Sequence, residues 1–166
     1  MKFNEEIEIK KNLEDKKELY LRMMNALEEE NHILRASDTD ALWKMNSVKN
    51  EIASRIEKKR KDMIDLVNKA GIKNDLDYDS FSLDRFIALF EKSNFFHEYQ
   101  KLENDMKLIK TKIWNLQSVN RQFVEEYLKT LDELVSVIVQ TGTNKSYSRK
   151  KSFAAKTGGL ILSQEV

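Results

Sequence analysis

Few side chains in this 166-residue sequence could carry chemistry, and their spacing limits what that chemistry could be. Its two histidines are His32 and His97. A metal cage needs three or four converging ligands. One histidine falls near the end of the first helical stretch and the other near the start of the last. In an antiparallel bundle they stand toward opposite ends, so each reads as a rim histidine. The run Asp75-Leu76-Asp77-Tyr78-Asp79 imitates the opening of a calcium loop, but Ser80 stands where the turn glycine belongs and Phe86 where the bidentate glutamate belongs. It reads as a solvated acidic loop. Lys156-Thr157-Gly158-Gly159 has its glycines after the Lys-Thr pair and no preceding strand, which is not a phosphate loop. Cysteine is absent, which removes thiol nucleophiles, disulfides and cysteine-ligated metals and fits a reducing cytosol. With no nucleophile, paired acid and base, or metal cage, the expectation is a non-enzyme that needs no cofactor.

Charge narrows the partners. Charged residues make up 34% of the chain, yet the formal net charge is only +1. No global field would hold nucleic acid or an anionic membrane. Local basic groups remain: Arg55, Lys58, Lys59, Arg60 and Lys61 in one helix, and Lys145, Arg149, Lys150 and Lys151 near the C-terminus. Glu57 and Asp62 interleave the first group, and a solvated face is the ordinary state of such a pattern. No nucleic acid is expected as a partner. An adaptor for nucleic acid or an anionic surface stays as an alternative, and its binding would fall steeply with salt.

The elements that would position any site are helices. No proline occurs, and the apolar residues recur three and four apart. A first helix spans about Asn4 to Ala36, with Ile9, Leu13, Tyr20, Met23, Met24, Leu27 and Leu34 on one face. Its first half is thinly apolar, which predicts turns that fray or wait for a partner. Ser37 with Asp40 approximates a capping box, so a tight turn should set the next helix antiparallel. That helix spans about Thr39 to Ala70, with Leu42, Met45, Val48, Ile52, Ile56, Met63 and Leu66 buried, and Gly71 suits its left-handed stop. Ser82 is placed to cap a short helix that ends near Ser93, and Asn94 to cap the next. Phe86 and Phe90 should meet Phe95, Phe96 and Tyr99 in an aromatic cluster at the base.

The dominant stretch runs from Asn94 to Gln140. Tyr99, Leu102, Met106, Ile109, Ile113, Leu116, Phe123, Tyr127, Leu131, Leu134 and Ile138 form a coiled-coil seam, with Asn120 its single polar member. At 1.5 Å per residue this rod spans roughly 70 Å against ~48 Å for the second helix. Beyond Asn120 the apolar surface broadens through Tyr127, Leu128, Leu131, Leu134, Val135, Val137, Ile138 and Val139. A helix apolar that far round is buried or adhesive. Asn120 either fixes the register of the seam or hydrogen-bonds a partner's backbone. Gly142 should end the helix.

The predicted class is all-α: an elongated antiparallel helical bundle or coiled coil of three long helices plus one short helix, with a flexible C-terminal tail. Residues 1–141 form the bundle domain and 142–166 the basic tail. Three readings of that tail are open: a solvated terminus, a docking segment with aromatic anchors, or a cover for the exposed end of the long helix through Leu160-Ile161-Leu162. Met1 to Lys11 lacks a signal peptide's apolar core and no apolar run reaches the ~20 residues of a membrane span, so a cytoplasmic protein is expected. An alternative to any client is a structural coiled coil that self-associates through the same surface.

One resemblance sharpens this. Ser37-Asp38-Thr39-Asp40-Ala41-Leu42, then Lys49-Asn50-Glu51-Ile52 and Ile56-Glu57-Lys58-Lys59-Arg60, is similar to the FlgN family of flagellar export chaperones. There a short acidic turn and a leucine precede a Lys-x-Glu helix ending in an arginine-bearing turn. Val119-Asn120-Arg121-Gln122-Phe123-Val124 resembles the family's Asn-centred segment. Tyr147, in a tail that also holds Gly158 and Gly159, resembles its tail tyrosine. The resemblance implies a chaperone of type III secretion that binds the C-terminal helical region of hook-associated proteins (FlgK/FlgL type). It would prevent their premature assembly and deliver them to the export gate, with only peripheral contact with membrane machinery. It implies a client groove at Asn120, Phe123, Val124, Tyr127, Leu131, Leu134, Val135 and Ile138, and docking of Tyr147 on the gate component FlhA.

Overall fold

The computed structural model describes residues 3–72 and 81–149, and side chains within 5–72 and 81–140. Among these the regular structure is all helical: α1 Phe3–Ala36, α2 Thr39–Lys69, α3 Leu83–Ala88 and α4 Phe96–Arg149. The all-α class, with three long helices and one short, is the fold observed. The chain falls into two compact units, one extending to Val124 and the other beginning at Glu125. Among the described residues, every buried side chain lies in the first.

Local chemistry sets the turns of that unit. Ser37 adopts a left-handed backbone with φ 56°. Its amide donates to the Leu34 carbonyl at 3.1 Å and the Asp38 amide to that of Ile33 at 3.4 Å, which satisfies the last carbonyls of α1. Asp38 then caps α2, its carboxylate accepting from the Ala41 amide at 3.0 Å. The expected box of Ser37 with Asp40 is therefore displaced. Ser37 is used in stopping α1, so Asp38 is the residue whose extended backbone lets its side chain reach back to a free amide. The two-residue turn makes α1 and α2 antiparallel, as the crossing pairs Lys49–Glu30 and Lys59–Asp15 record.

At the other end of α2, Gly71 is left-handed at φ 66°. Its amide reaches the Asn68 carbonyl at 3.1 Å and that of Ile72 reaches Val67 at 3.3 Å, while Ile72 packs on the core. Ser82 precedes α3 with an extended backbone but makes no side-chain cap. Helical geometry stops at Ala88, and turns carry the chain through Ser93. Ser93, not Asn94, supplies the side chain before α4, its Oγ accepting from the Phe95 amide at 3.1 Å.

The base of the bundle holds the densest core. Ile9 and Leu13 of α1, Met63 and Val67 of α2, Leu83, Phe86 and Ile87 of α3, then Phe90, Tyr99 and Met106 are all buried together. Phe86 and Phe90 stand 5.1 Å apart and Phe90 meets Tyr99 edge-on at 5.9 Å, geometries aromatic quadrupoles favour. Phe95 stacks on Tyr99 at 6.3 Å, and the Tyr99 hydroxyl donates to the Glu6 carbonyl at 2.8 Å. This corrects the expectation of fraying turns in α1. Its few apolar residues suffice because Phe86 of α3, Phe90 of the following turns and Tyr99 of α4 pack with them, each burial worth ~1.5–3 kcal/mol.

Higher up, Leu19, Ala26 and Ile52 form a second, smaller cluster with Met23, Met45 and Ile56. Val48, expected inside, is exposed. Contacts between α1 and α4 advance together along both helices, from Glu6–Tyr99 through Lys17–Asp105 at 2.7 Å to Leu27–Asn120. The two run parallel, with α2 antiparallel to them. Gly142 does not end α4, which continues to Arg149. A glycine stops a helix only where it turns left-handed; inside a helix it costs about 1 kcal/mol relative to alanine, which neighbouring turns can absorb.

Candidate functional site

The predicted site residues fall in both units. In the first, Asn120 is only 4% exposed. Its Nδ2 donates to the Leu27 carbonyl at 2.8 Å and to Glu30 Oε2 at 3.0 Å, and its Oδ1 accepts from Asn31 Nδ2 at 2.7 Å. Glu30 also holds Lys49 of α2, and Asn31 accepts from Arg35 Nε at 2.9 Å. The amide thus fastens α4 to α1, and through Glu30 to α2. Both polar groups of the Asn120 side chain are thus used within the chain, as the register-fixing role expected of it would require. Phe123 is half-buried and Val124 exposed.

In the second unit every described side chain from Glu125 to Gln140 is exposed. Tyr127, Leu131, Leu134, Val135 and Ile138 are between 40% and 67% exposed, and Leu128, Val137 and Val139 are exposed as well. The arrangement is an exposed apolar helix rather than a cleft. Its face can do one kind of chemistry, burial against another apolar surface. Tyr147 lies within the last turns of α4, but its side chain is outside the described residues, as is the whole segment after Arg149. The acidic run at Asp75 to Asp79 also lies outside them.

Other charged groups are engaged within the first unit. Arg55 pairs with Glu51 at 3.9 Å, Lys59 with Asp15 at 2.7 Å and Arg60 with Glu57 at 3.4 Å. Asp15, Glu18 and Asp62 join Arg22, Arg55, Lys58 and Lys59 around a cleft between α1 and α2. Such mixed charge gives little net attraction for a polyanion. His32 and His97 are both exposed, and among the described residues no group of three His, Cys, Asp or Glu could hold a metal. No described helix is long and apolar enough to cross a membrane.

Buried charge near the base escaped the sequence reading. Lys16 is 3% exposed, with its Nζ 4.9 Å from the centre of the Phe81 ring. Burial, then the charges of Lys110 and Arg60, push its pKa down to about 8. Lys110, over the Tyr20 ring at 5.2 Å, is also lowered by burial. Burial and the Asp84 carboxyl raise Glu103, while hydrogen bonds from Glu103 and Lys107 lower Asp84. Lys107 joins the two acids and so ties α3 to α4. Lys16 shares an i, i+3, i+7 row with Leu13 and Tyr20, but a lysine there gives no sign of burial in the sequence, because the Phe81 ring against it comes from a distant part of the chain.

A family model described as FlgN protein matches residues 1–154 of the chain. No curated protein and no solved structure matches it.

Proposed function

Because the chain belongs to the FlgN family of flagellar export chaperones, we propose that it binds the C-terminal helical region of hook-associated proteins in the cytoplasm. It would hold them from premature assembly and deliver them to the export gate. The observation that carries this reading is the exposed apolar face of α4 after Val124, with Tyr127, Leu131, Leu134, Val135 and Ile138 in solvent. An amphipathic client helix laid on it would exchange water for apolar contact, the helix-in-groove mode in which residues three and four apart serve as anchors. Val124 would extend the client surface. Asn120 and Phe123, more enclosed, would mark its near border.

Each anchor is worth ~1.5–3 kcal/mol if fully buried, offset in part by ordering of the client. Leu131→Asp is therefore expected to weaken binding of a hook-associated C-terminal segment at least ~tenfold by calorimetry, with helical content unchanged. Unaltered affinity in a folded variant would remove this surface from the reading. Gate docking is assigned to Tyr147 with FlhA. Its check is that Tyr147→Ala weakens gate binding and spares client binding; loss of both, or of neither, rejects the assignment.

A further inference from the structure

After Val124 the apolar and polar residues of α4 take opposite faces. At 3.6 residues per turn, Tyr127, Leu128, Leu131, Leu134, Val135 and Ile138 fall within a sector of about 120°. Glu125, Glu126, Lys129, Asp132, Glu133 and Ser136 lie on the other side of the helix. The sector therefore offers an occupant burial of apolar surface and no charge of its own. After Arg149 the sequence holds a single run of three large apolar residues, Leu160-Ile161-Leu162, directly behind Gly158-Gly159. Paired glycines admit the chain reversal needed to bring that run back along α4.

The length of chain fits the distance. Eleven residues lead from Arg149, the last residue of α4, to Leu160. Such a length spans about 18 Å r.m.s. as an unstructured chain and at most about 40 Å when extended. Leu134 stands about 22 Å back along the helix axis from Arg149, and Leu131 about 27 Å. Resting on the client-binding reading above, we propose that Leu160-Ile161-Leu162 of the same chain closes over Leu131, Leu134 and Val135 when no client is bound, and competes with the client for them. Tethering gives this segment an effective concentration in roughly the millimolar range, which a second copy of the chain at micromolar concentration does not match. The open face of the structure is then the state that receives a client.

The chain contains no cysteine, so an engineered pair reports the closure without any client. The full chain carrying Leu134→Cys and Ser163→Cys is oxidised mildly at micromolar concentration. Beside it is a chain carrying Ser163→Cys with Ser136→Cys, which lies on the opposite face at nearly the same height. The first pair is expected to link within the monomer at least ~tenfold faster than the second, and replacing Leu160, Ile161 and Leu162 together by serine should remove the difference. Equal rates for the two pairs, a difference that survives the serine replacement, or disulfide-linked dimers in place of the internal link overturn the proposal. In calorimetry the triple serine variant without cysteines is expected to bind the hook-associated segment about threefold more tightly, the gain from uncovering a face closed about two-thirds of the time. Unaltered or weaker binding there overturns the competition. Failure of the parent reading is separate: Leu131→Asp then leaves binding of the hook-associated segment unaltered, while the cross-link, which needs no client, is read all the same.

Discussion

Lys16 is the residue whose environment departs most from its type. Its folded pKa of about 8 lies below the ordinary lysine value of 10.5, so the folded state gives up that proton first. Between those pH values the unfolded chain binds more protons, and stability rises with pH; below about 8 the full penalty of a buried ammonium is present. The penalty is about 2–3 kcal/mol at neutral pH. Lys16→Met, which keeps the stem over Phe81, is expected to raise stability by about 2 kcal/mol at pH 7 in urea unfolding, with the gain fading by pH 10. A gain of equal size at both pH values would show that charge is not its cause. Ser37 and Gly71 make a second, paired prediction. Both are left-handed, and only the glycine suits that backbone. Ser37→Gly should stabilise by roughly 0.5–1 kcal/mol and Gly71→Ala destabilise by about 1 kcal/mol, read from unfolding midpoints. A methyl group at Gly71 meets nothing within 4 Å, so backbone strain alone sets that cost.

Among elements, α4 joins two chemistries in one helix. Below Val124 its inward face is closed by α1, α2 and the α3 base, and Asn120 is the polar fastening at the end of that contact. Asn120→Ala would leave the Asn31 side-chain amide without its acceptor, remove the second donor to the Leu27 carbonyl and loosen Glu30, at a cost of roughly 1–3 kcal/mol in unfolding free energy. A neutral result would mean that water replaces the amide. The three long helices were readable from apolar spacing alone, because a 3.6-residue period is a property of consecutive residues. Between α1 and α2 and before α4 the caps were legible to within one residue, but the end of α4 was not: the helix runs seven residues past Gly142. Ser37, Asn94 and Gly142 all have cap-forming chemistry, yet which of several such residues serves depends on where the chain must turn. α3, only six residues long, was foreseen as an aromatic-bearing helix but overextended to Ser93, since turns and short helices share composition.

For the whole molecule, the burial pattern makes a direct prediction. Among the described residues none after Asn120 is buried, and the first compact unit ends at Val124. A chain truncated after Val124 is expected to unfold cooperatively within a few degrees of the full chain's midpoint, because no described core contact is removed. It should no longer bind the hook-associated segment. A large drop in midpoint would mean that the later residues support the bundle.

By itself the sequence determined the class, the number of helices, the Asn120 interruption and the apolar stretch after it, since each is written in local periodicity and composition. The tertiary structure decided which of those apolar stripes meet a partner within the chain. Ile9 and Leu13 are covered because Phe86 of α3, Phe90 and Tyr99 join them in one core, Lys16 is buried beneath Phe81, and Leu131 is left in solvent. Periodicity tells a helix which face is apolar; only the placement of the other helices tells that face whether it is core or surface.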